Sequence, residues 1–468
     1  MARRRLTTVL AAVAICLAAA AAASADGPAD ALIHADVARS LGYTGKGVTV
    51  AVIDTGIDDH NPDVSGAVVG EHCIVPPDGC PDGTGEQDGP GSAQDDHGHG
   101  TAVSDIIAGR GVTAPVGIAP DAKLVEVKVA DRNGRTTSDQ IIAGLNWVHA
   151  HHPEVRIVNV SLGSDVLLSG DCNGLSSTLS QYGAAIDALD AQGALVFASS
   201  GNGGSPASMS SPACIGKAVA VGAVYSRSFG SYTAPFVCVD RTTGADKIAC
   251  FSDGGTGLDL LAPGAPVDAA DLGSGDSSIA GTSMAAAVAS GAAADLLQAD
   301  PSLTPEALEE LLEITGVPIA DPRNRLTAPR IDLAAALGAV LGHPIAVPAP
   351  PPDAGRPSSP MFSTSALPRA DLSVRPIAFG AVALRKTATR RLVVANAGTG
   401  YLTVRVASSL DAVSVRPAKI VVPASKKRTV VLTFRPTRAG AYHGSLRLET
   451  DDPSARRIAL ELRGSGRS

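Results

Sequence analysis

From Gly47 onward the chain alternates short β-branched runs with stretches of helical character, and nothing else in it limits the fold so strongly. The runs are residues 48–53, 124–129, 157–160, 194–198, 218–224 and 258–261, and the helical stretches lie near 101–108, 138–150, 178–191, 282–298 and 304–312. Near-continuous apolar runs separated by helices are the mark of parallel strands buried on both faces, because each crossover lays a helix on the sheet. The pattern predicts an α/β domain with a mostly parallel sheet flanked by helices. Ser138 and Thr304 are suited to cap helix starts, Thr304 with Pro305 directly after it. In open sheets of this kind ligands bind beyond the carboxyl ends of the strands, so that is where chemistry is expected.

The alternation stops near Leu341, and 468 residues are more than one such domain needs. Residues 343–370 hold eight prolines, too many for a helix or a central strand, and read as a semi-rigid linker. After it, runs at 391–395, 402–406, 419–422, 429–434 and 445–449 alternate with period two between turn residues, which predicts an all-β sandwich over 371–468. Charge divides in the same place. Residues 371–468 carry 18 Lys/Arg against 6 Asp/Glu, whereas residues 26–370 carry 17 against 40. A basic module joined to an acidic one suggests separate tasks, with anionic cell-envelope material as the expected partner of the sandwich and nucleic acid not expected.

Arg3, Arg4 and Arg5 precede an apolar, Ala-rich run over 9–23, and Ala23-Ser24-Ala25 has the small-x-small form of a signal-peptidase site. Cleavage after Ala25 is expected, giving a signal peptide over 1–25, the α/β domain over 26–342 and a secreted mature chain without a transmembrane helix. The competing reading is an amino-terminal membrane anchor, for which the run is weakly hydrophobic. Export leaves six of the seven cysteines, which points to three disulfides. Fifteen pairings exist. Local closure favours Cys73–Cys80 and Cys238–Cys250, leaving Cys172–Cys214, and the C-x-x-C spacing of a thiolate metal site is absent.

Three segments carry the chemistry. Ile53-Asp54-Thr55-Gly56 ends the first strand, His99-Gly100-Thr101 opens a helix, and Gly281-Thr282-Ser283-Met284-Ala285 opens another. Taken singly, Asp-Thr-Gly also occurs in aspartic proteases, and His97-x-His99 occurs in metal sites. An aspartic protease needs a second such carboxylate to share the proton, and the chain has no second Asp-Thr/Ser-Gly. A metal reading needs a third ligand, for which His151 and His152 offer no motif. A serine hydroxyl attacks a carbonyl only when an imidazole takes its proton and a carboxylate holds that imidazole in the right tautomer. Asp54, His99 and Ser283 supply those groups.

With Val50 to Ile57, Asp96 to Thr101, Ser161-Leu162-Gly163, Ser200-Gly201-Asn202 and Gly281 to Ala285 in this order, residues 35–340 resemble the subtilisin-like serine peptidases. The resemblance implies a subtilisin fold, polypeptide substrates, no cofactor for the chemistry and no catalytic metal. It implies that Asn202 and the Ser283 backbone N–H form an oxyanion hole, that Ser161, Leu162 and Gly163 pair with substrate on one side, and that Gly134, Arg135 and Thr136 pair on the other. Phe379-Gly380, Asn396-Ala397-Gly398 and Phe434-Arg435-Pro436 likewise resemble the immunoglobulin-like modules of abnormal-spindle and hydin proteins.

The chain departs from the family's pattern in three places. Ala286-Ala287 replaces the usual Pro and polar residue after the serine motif, and Asp105 stands at a usually glycine position after the His segment. Only about 20 residues separate Ala25 from the first strand, so the usual propeptide does not fit. The loop 71–96, with Asp78, Asp82, Asp88, Asp95 and Asp96, offers hard oxygen ligands and is a candidate holder of structural Ca2+, without EF-hand spacing. The competing function is a catalytically weak or inert surface-binding protein that uses the basic sandwich.

Overall fold

A computed structural model describes residues 27–234, 237–347, 370–372, 377–396, 402–416, 419–422, 427–450 and 457–467. The expected signal peptide and all but the ends of the expected linker lie outside them. The chain divides into two compact units, residues 1–349 and 350–468, and the division falls within the proline-rich stretch.

In the first unit ten strands form one sheet: β1 (Thr49–Asp54), β2 (Val68–Ile74), β3 (Glu86–Asp88), β4 (Lys123–Lys128), β5 (Val155–Val160), β6 (Leu195–Ser199), β7 (Val219–Tyr225), β8 (Leu260–Ala265), β9 (Val317–Ala320) and β10 (Thr327–Arg330). Their order across the sheet is β9-β10-β8-β7-β6-β5-β1-β4-β2-β3. All pairings are parallel except β9 with β10 and β2 with β3 at the two edges. The chain reverses its direction of winding at β1, which lies between β4 and β5, and the carboxyl ends there form the crevice where sheets of this type bind ligands.

Among the described residues the unit also has three two-stranded sheets and eight helices: α1 (Pro28–Ile33), α2 (Ala35–Ser40), α3 (His99–Ala108), α4 (Ser138–His151), α5 (Ser177–Gln192), α6 (Thr282–Ala299), α7 (Pro305–Thr315) and α8 (Leu333–Leu341). Successive side chains of a strand point to opposite faces, and β1 feeds two cores accordingly. Val50 and Val52 pack into the core that includes α3 and α6, and Ala51 and Ile53 into the core that includes α4 and α5. Helix α6 is buried from Thr282 to Leu297. Its small residues allow that, since a Cβ on Gly291 would lie 2.6 Å from Ile118 Cβ. The expected cap Thr304 accepts the Ala307 N–H, whereas at α4 the cap is Thr137, which accepts from Gln140 N, and Ser138 is already helical.

The three expected disulfides are present: Cys73–Cys80, Cys172–Cys214 and Cys238–Cys250. No helix among the described residues is long and apolar enough to cross a membrane.

Among its described residues the second unit has nine strands: β11 (Ala370–Leu372), β12 (Ile377–Ala383), β13 (Ala388–Asn396), β14 (Leu402–Ser408), β15 (Val413–Arg416), β16 (Lys419–Val422), β17 (Lys427–Phe434), β18 (Gly440–Thr450) and β19 (Arg457–Arg467). They form sheets β11-β13-β17-β15 and β12-β19-β18-β14-β16 around one apolar core, in which Phe379 stacks on Phe434.

Candidate active site

Asp54, His99 and Ser283 stand at the carboxyl-end side of the sheet on three different elements. Asp54 is the last residue of β1, His99 the first of α3 and Ser283 the second of α6. Close backbone contact sets the first two. A Cβ on Gly100 would lie 2.1 Å from the Gly56 carbonyl oxygen, so glycine is required where α3 meets the end of β1. The Gly100 N–H donates to Thr55 Oγ1 at 2.8 Å, and the N–H and hydroxyl of Thr101 both donate to Asp95 Oδ2, at 3.0 and 2.7 Å. Asp95 also accepts the His97 N–H at 2.9 Å. Burial pushes the Asp95 carboxyl up, but these hydrogen bonds outweigh it and hold the pKa below the ordinary value.

Lys128 ends β4 and is almost wholly buried, with Nζ donating to the Thr55 carbonyl at 2.7 Å and to Asp96 at 2.6 Å. The Thr55, Asp95 and Lys128 braces were not singled out by sequence reasoning. A lysine ending a strand between apolar neighbours was the one available signal, because a buried ammonium requires partners.

His99 Nδ1 lies 2.6 Å from Asp54 Oδ1, and Asp54 is fully buried. The same oxygen accepts the Thr55 N–H at 2.7 Å. This pairing fixes the tautomer, since a carboxylate only accepts and Nδ1 must therefore carry the proton, leaving Nε2 to accept one. Burial lowers the affinity of His99 for a second proton, but the charge and hydrogen bond of Asp54 outweigh that and raise its pKa above 6.5.

Ser283 is nearly buried, and its Oγ donates to the Ser161 carbonyl at 3.0 Å rather than to His99. The Ser161 hydroxyl returns a bond to the Ser283 carbonyl at 2.9 Å, and Asn159 Nδ2 donates to that hydroxyl. Ser290, two turns along α6, donates to Asn159 Oδ1 at 3.1 Å, so the helix head is fastened to the end of β5 at two levels.

Asn202 lies in the loop after β6. Its Oδ1 accepts both the N–H and the hydroxyl of Thr282, at 2.9 and 3.1 Å, which leaves the amide NH2 group beside the Ser283 segment as donor. Gly201, at φ +114°, lets the chain turn there over Asp253, which accepts the N–H groups of Gly203 and Ser205 at 3.0 and 2.6 Å.

The expected substrate-binding segments differ. Ser161, Leu162 and Gly163 continue from β5, and Leu162 and Gly163 make no backbone hydrogen bond among the described residues. Gly134, Arg135 and Thr136 lie in a turn rather than a strand. Gly134 has φ +70°, and the Arg135 N–H and carbonyl both bond to Asp131, so Arg135 has no backbone group left over.

Of the departures, the two alanines leave α6 continuous. Asp105 accepts the Ala270 N–H at 2.8 Å. The carboxylates of the acidic loop do not gather around one point. Asp82 holds Thr84, Asp88 lies 3.0 Å from His72, Asp95 holds the start of α3, and Asp96 pairs with Lys128. The carboxylate-rich groups among the described residues that are close enough to share an ion lie elsewhere, at Asp58-Asp59-His60 and Asp259-Glu309-Glu313.

A mostly parallel sheet that gathers a carboxylate, an imidazole and a helix-head serine in its crevice defines the subtilisin-like serine peptidase class. The chain belongs to the subtilase family, whose profile matches residues 45–332. It is 37% identical over 271 residues to Subtilisin BL of Lederbergia lenta, covering 58% of this chain and 83% of that protein. The same figures hold for Subtilisin Savinase of Lederbergia lenta. Among solved structures, a protease from Pseudoalteromonas arctica superposes with TM-score 0.51 at 26% identity, covering 64% of this chain and 91% of that one. Residues 368–465 match a HYDIN/CFA65/VesB-like Ig-like domain.

Proposed function

We propose that this subtilase is an exported serine endopeptidase in which Asp54, His99 and Ser283 form the catalytic triad. The observation that carries the reading is the 2.6 Å contact of His99 Nδ1 with buried Asp54, next to a helix whose second residue is Ser283. In the reaction the Ser283 hydroxyl turns from the Ser161 carbonyl toward His99 Nε2. Its oxygen bonds to the scissile carbonyl carbon while the proton passes to Nε2. The carbonyl π electrons move to oxygen, where the Asn202 amide and the Ser283 N–H face the negative charge. The C–N bond then breaks, the leaving amine takes the proton from Nε2, and water repeats the sequence to release the acyl group. Asp54 stays ionised throughout and stabilises the imidazolium.

Leu162 and Gly163, with unspent backbone groups, suit pairing with an extended substrate. From the other side the Gly134 carbonyl and the N–H and carbonyl of Thr136 remain for that purpose among the described residues. Three disulfides and the leader sequence support export. The outward side of the β14–β18–β19 sheet exposes Arg405, Arg447 and Arg457, beside Arg463 paired with Glu461, which supports retention on anionic envelope material. A binding protein with an inert peptidase fold has no need of a buried carboxylate on its histidine, and that reading is not favoured. A serine-directed fluorophosphonate tests the proposal: covalent labelling of Ser283 in the native mature chain is expected, and a folded chain that takes up no label is inert.

A further inference from the structure

Asn202 is exposed and stands between Gly201 and Gly203, with Gly204 following. Glycines leave a backbone free to take many conformations, so a loop of this composition aims a side chain only where other residues hold its main chain. Thr282 holds the Asn202 side chain at Oδ1 and accepts the Gly201 N–H at 3.1 Å. Much of the remaining hold comes from Asp253, which lies between β7 and β8 and is fully buried. Its N–H donates to the Gly201 carbonyl at 2.9 Å, and its carbonyl accepts the Ser200 hydroxyl at 2.9 Å. Its carboxylate takes the far side of the loop, Oδ2 accepting the Gly203 N–H at 3.0 Å and Oδ1 the Ser205 N–H at 2.6 Å. Asp253 therefore grips the chain on both sides of Asn202. The carboxylate and the glycines fit one another, since a Cβ on Gly201 would lie 2.3 Å from Asp253 Oδ2 and one on Gly203 3.2 Å from Oδ1. Burial pushes this carboxyl above its ordinary value, opposed by the Gly203 and Ser205 bonds and by the charge of Arg323. Hydrogen bonds to an ionised acceptor are roughly twice as strong as neutral ones, and two of them here end on the loop that carries Asn202.

We propose that Asp253 is a positioning residue for the peptidase reaction: by holding Gly203 and Ser205 it keeps the Asn202 amide turned to the place where the oxyanion forms. The proposal rests on the peptidase reading given above, in which Asn202 is the oxyanion donor. Such a donor acts only within hydrogen-bond reach of the developing charge. A loop allowed to drift therefore loses transition-state stabilisation and leaves substrate binding as it was. Asparagine at 253 does not replace the carboxylate, because it has one acceptor oxygen and its NH2 group would face one of the two N–H donors.

The test is a double-mutant cycle on the full mature chain, read as kcat and KM for a chromogenic peptide. Asp253→Asn is expected to lower kcat about 10- to 100-fold with KM changed by less than about twofold. It is expected to weaken binding of a peptide boronic acid, whose tetrahedral adduct puts an oxygen where the oxyanion forms, by a similar factor. In the Asn202→Ala background the same substitution is expected to change kcat by less than about twofold, since no amide is left to position. A merely structural loss would instead multiply with that of Asn202→Ala. Three results overturn the proposal: losses that multiply, a loss confined to KM, or an unchanged kcat in folded Asp253→Asn. If Asp253→Asn does not fold, Asp253→Ser, which removes the charge without adding volume, is read in the same cycle. Labelling of Ser283 and the Asn202→Ala loss are measured separately. If both are seen while Asp253→Asn is silent, only the positioning role falls, and a folded unmodified chain that takes up no label overturns both readings.

Discussion

A hydroxyl held by a backbone carbonyl does not attack, and in the resting site Ser283 is bonded to Ser161. In the proposed mechanism, catalysis then depends on how readily His99 Nε2 takes that proton. Only neutral imidazole accepts it, and the raised His99 pKa means activity is lost on acidification from a higher pH than for a free histidine. The acid limb of kcat/KM on a chromogenic peptide is expected to have its midpoint above 6.5. Asp54→Asn removes the charge that outweighs burial, so it is expected to shift this midpoint downward and to cut kcat on the order of 10⁴-fold. An unmoved midpoint contradicts the pairing. Asn202→Ala removes one donor of the proposed oxyanion hole and is expected to lower kcat roughly 100- to 1,000-fold with little change in KM, which steady-state kinetics checks. These residues were legible in the sequence because each sits in a short motif. The Ser161–Ser283 exchange and the Asp131 turn that occupies Arg135 were not, since both depend on where backbone carbonyls lie in space.

Strands that feed two cores are the easiest elements to read, and the six β-branched runs correspond to β1, β4, β5, β6, β7 and β8 within a few residues. What escaped were β2, whose run contains Gly70, Glu71 and His72, the short edge strands, and the six-residue helices α1 and α2, too short for a period to show. Buried charge inside β4 was also illegible. Glu126 is fully buried, accepts the Ser104 hydroxyl at 2.7 Å through one oxygen, and leaves the other without a partner. Burial raises its pKa well above 4.5, opposed by the Ser104 bond and reinforced by Asp54, Glu71 and Asp95. With the folded pKa above the unfolded value, the unfolded chain binds fewer protons between the two, so this group costs stability as pH rises above 4.5. Glu126→Gln is expected to raise Tm at pH 8 and to have a much smaller effect at pH 4.5. Calorimetry at both values checks it, and a pH-independent difference contradicts a protonated Glu126.

The chain carries opposite charge on the two sides of residue 370, 17 basic and 40 acidic residues over 26–370 against 18 and 6 over 371–468. The sandwich supplies none of the proposed catalytic residues. A chain ending near Gly342 is therefore expected to cleave short chromogenic peptides at the rate of the full mature chain. Only the full chain is expected to sediment with anionic envelope material, and high salt should release it, because exposed charges are screened beyond about 8 Å at physiological ionic strength. Loss of peptide hydrolysis by a folded truncated chain would make the sandwich part of the catalytic unit. The strand-rich character of the carboxy-terminal part was readable from period-two alternation, while the use of the basic surface is a matter of charge alone. The most direct test of the whole account is kcat/KM for peptide hydrolysis by Ser283→Ala beside the unmodified mature chain. The account predicts a fall on the order of a million-fold in a protein of unchanged fold, and undiminished hydrolysis would contradict it.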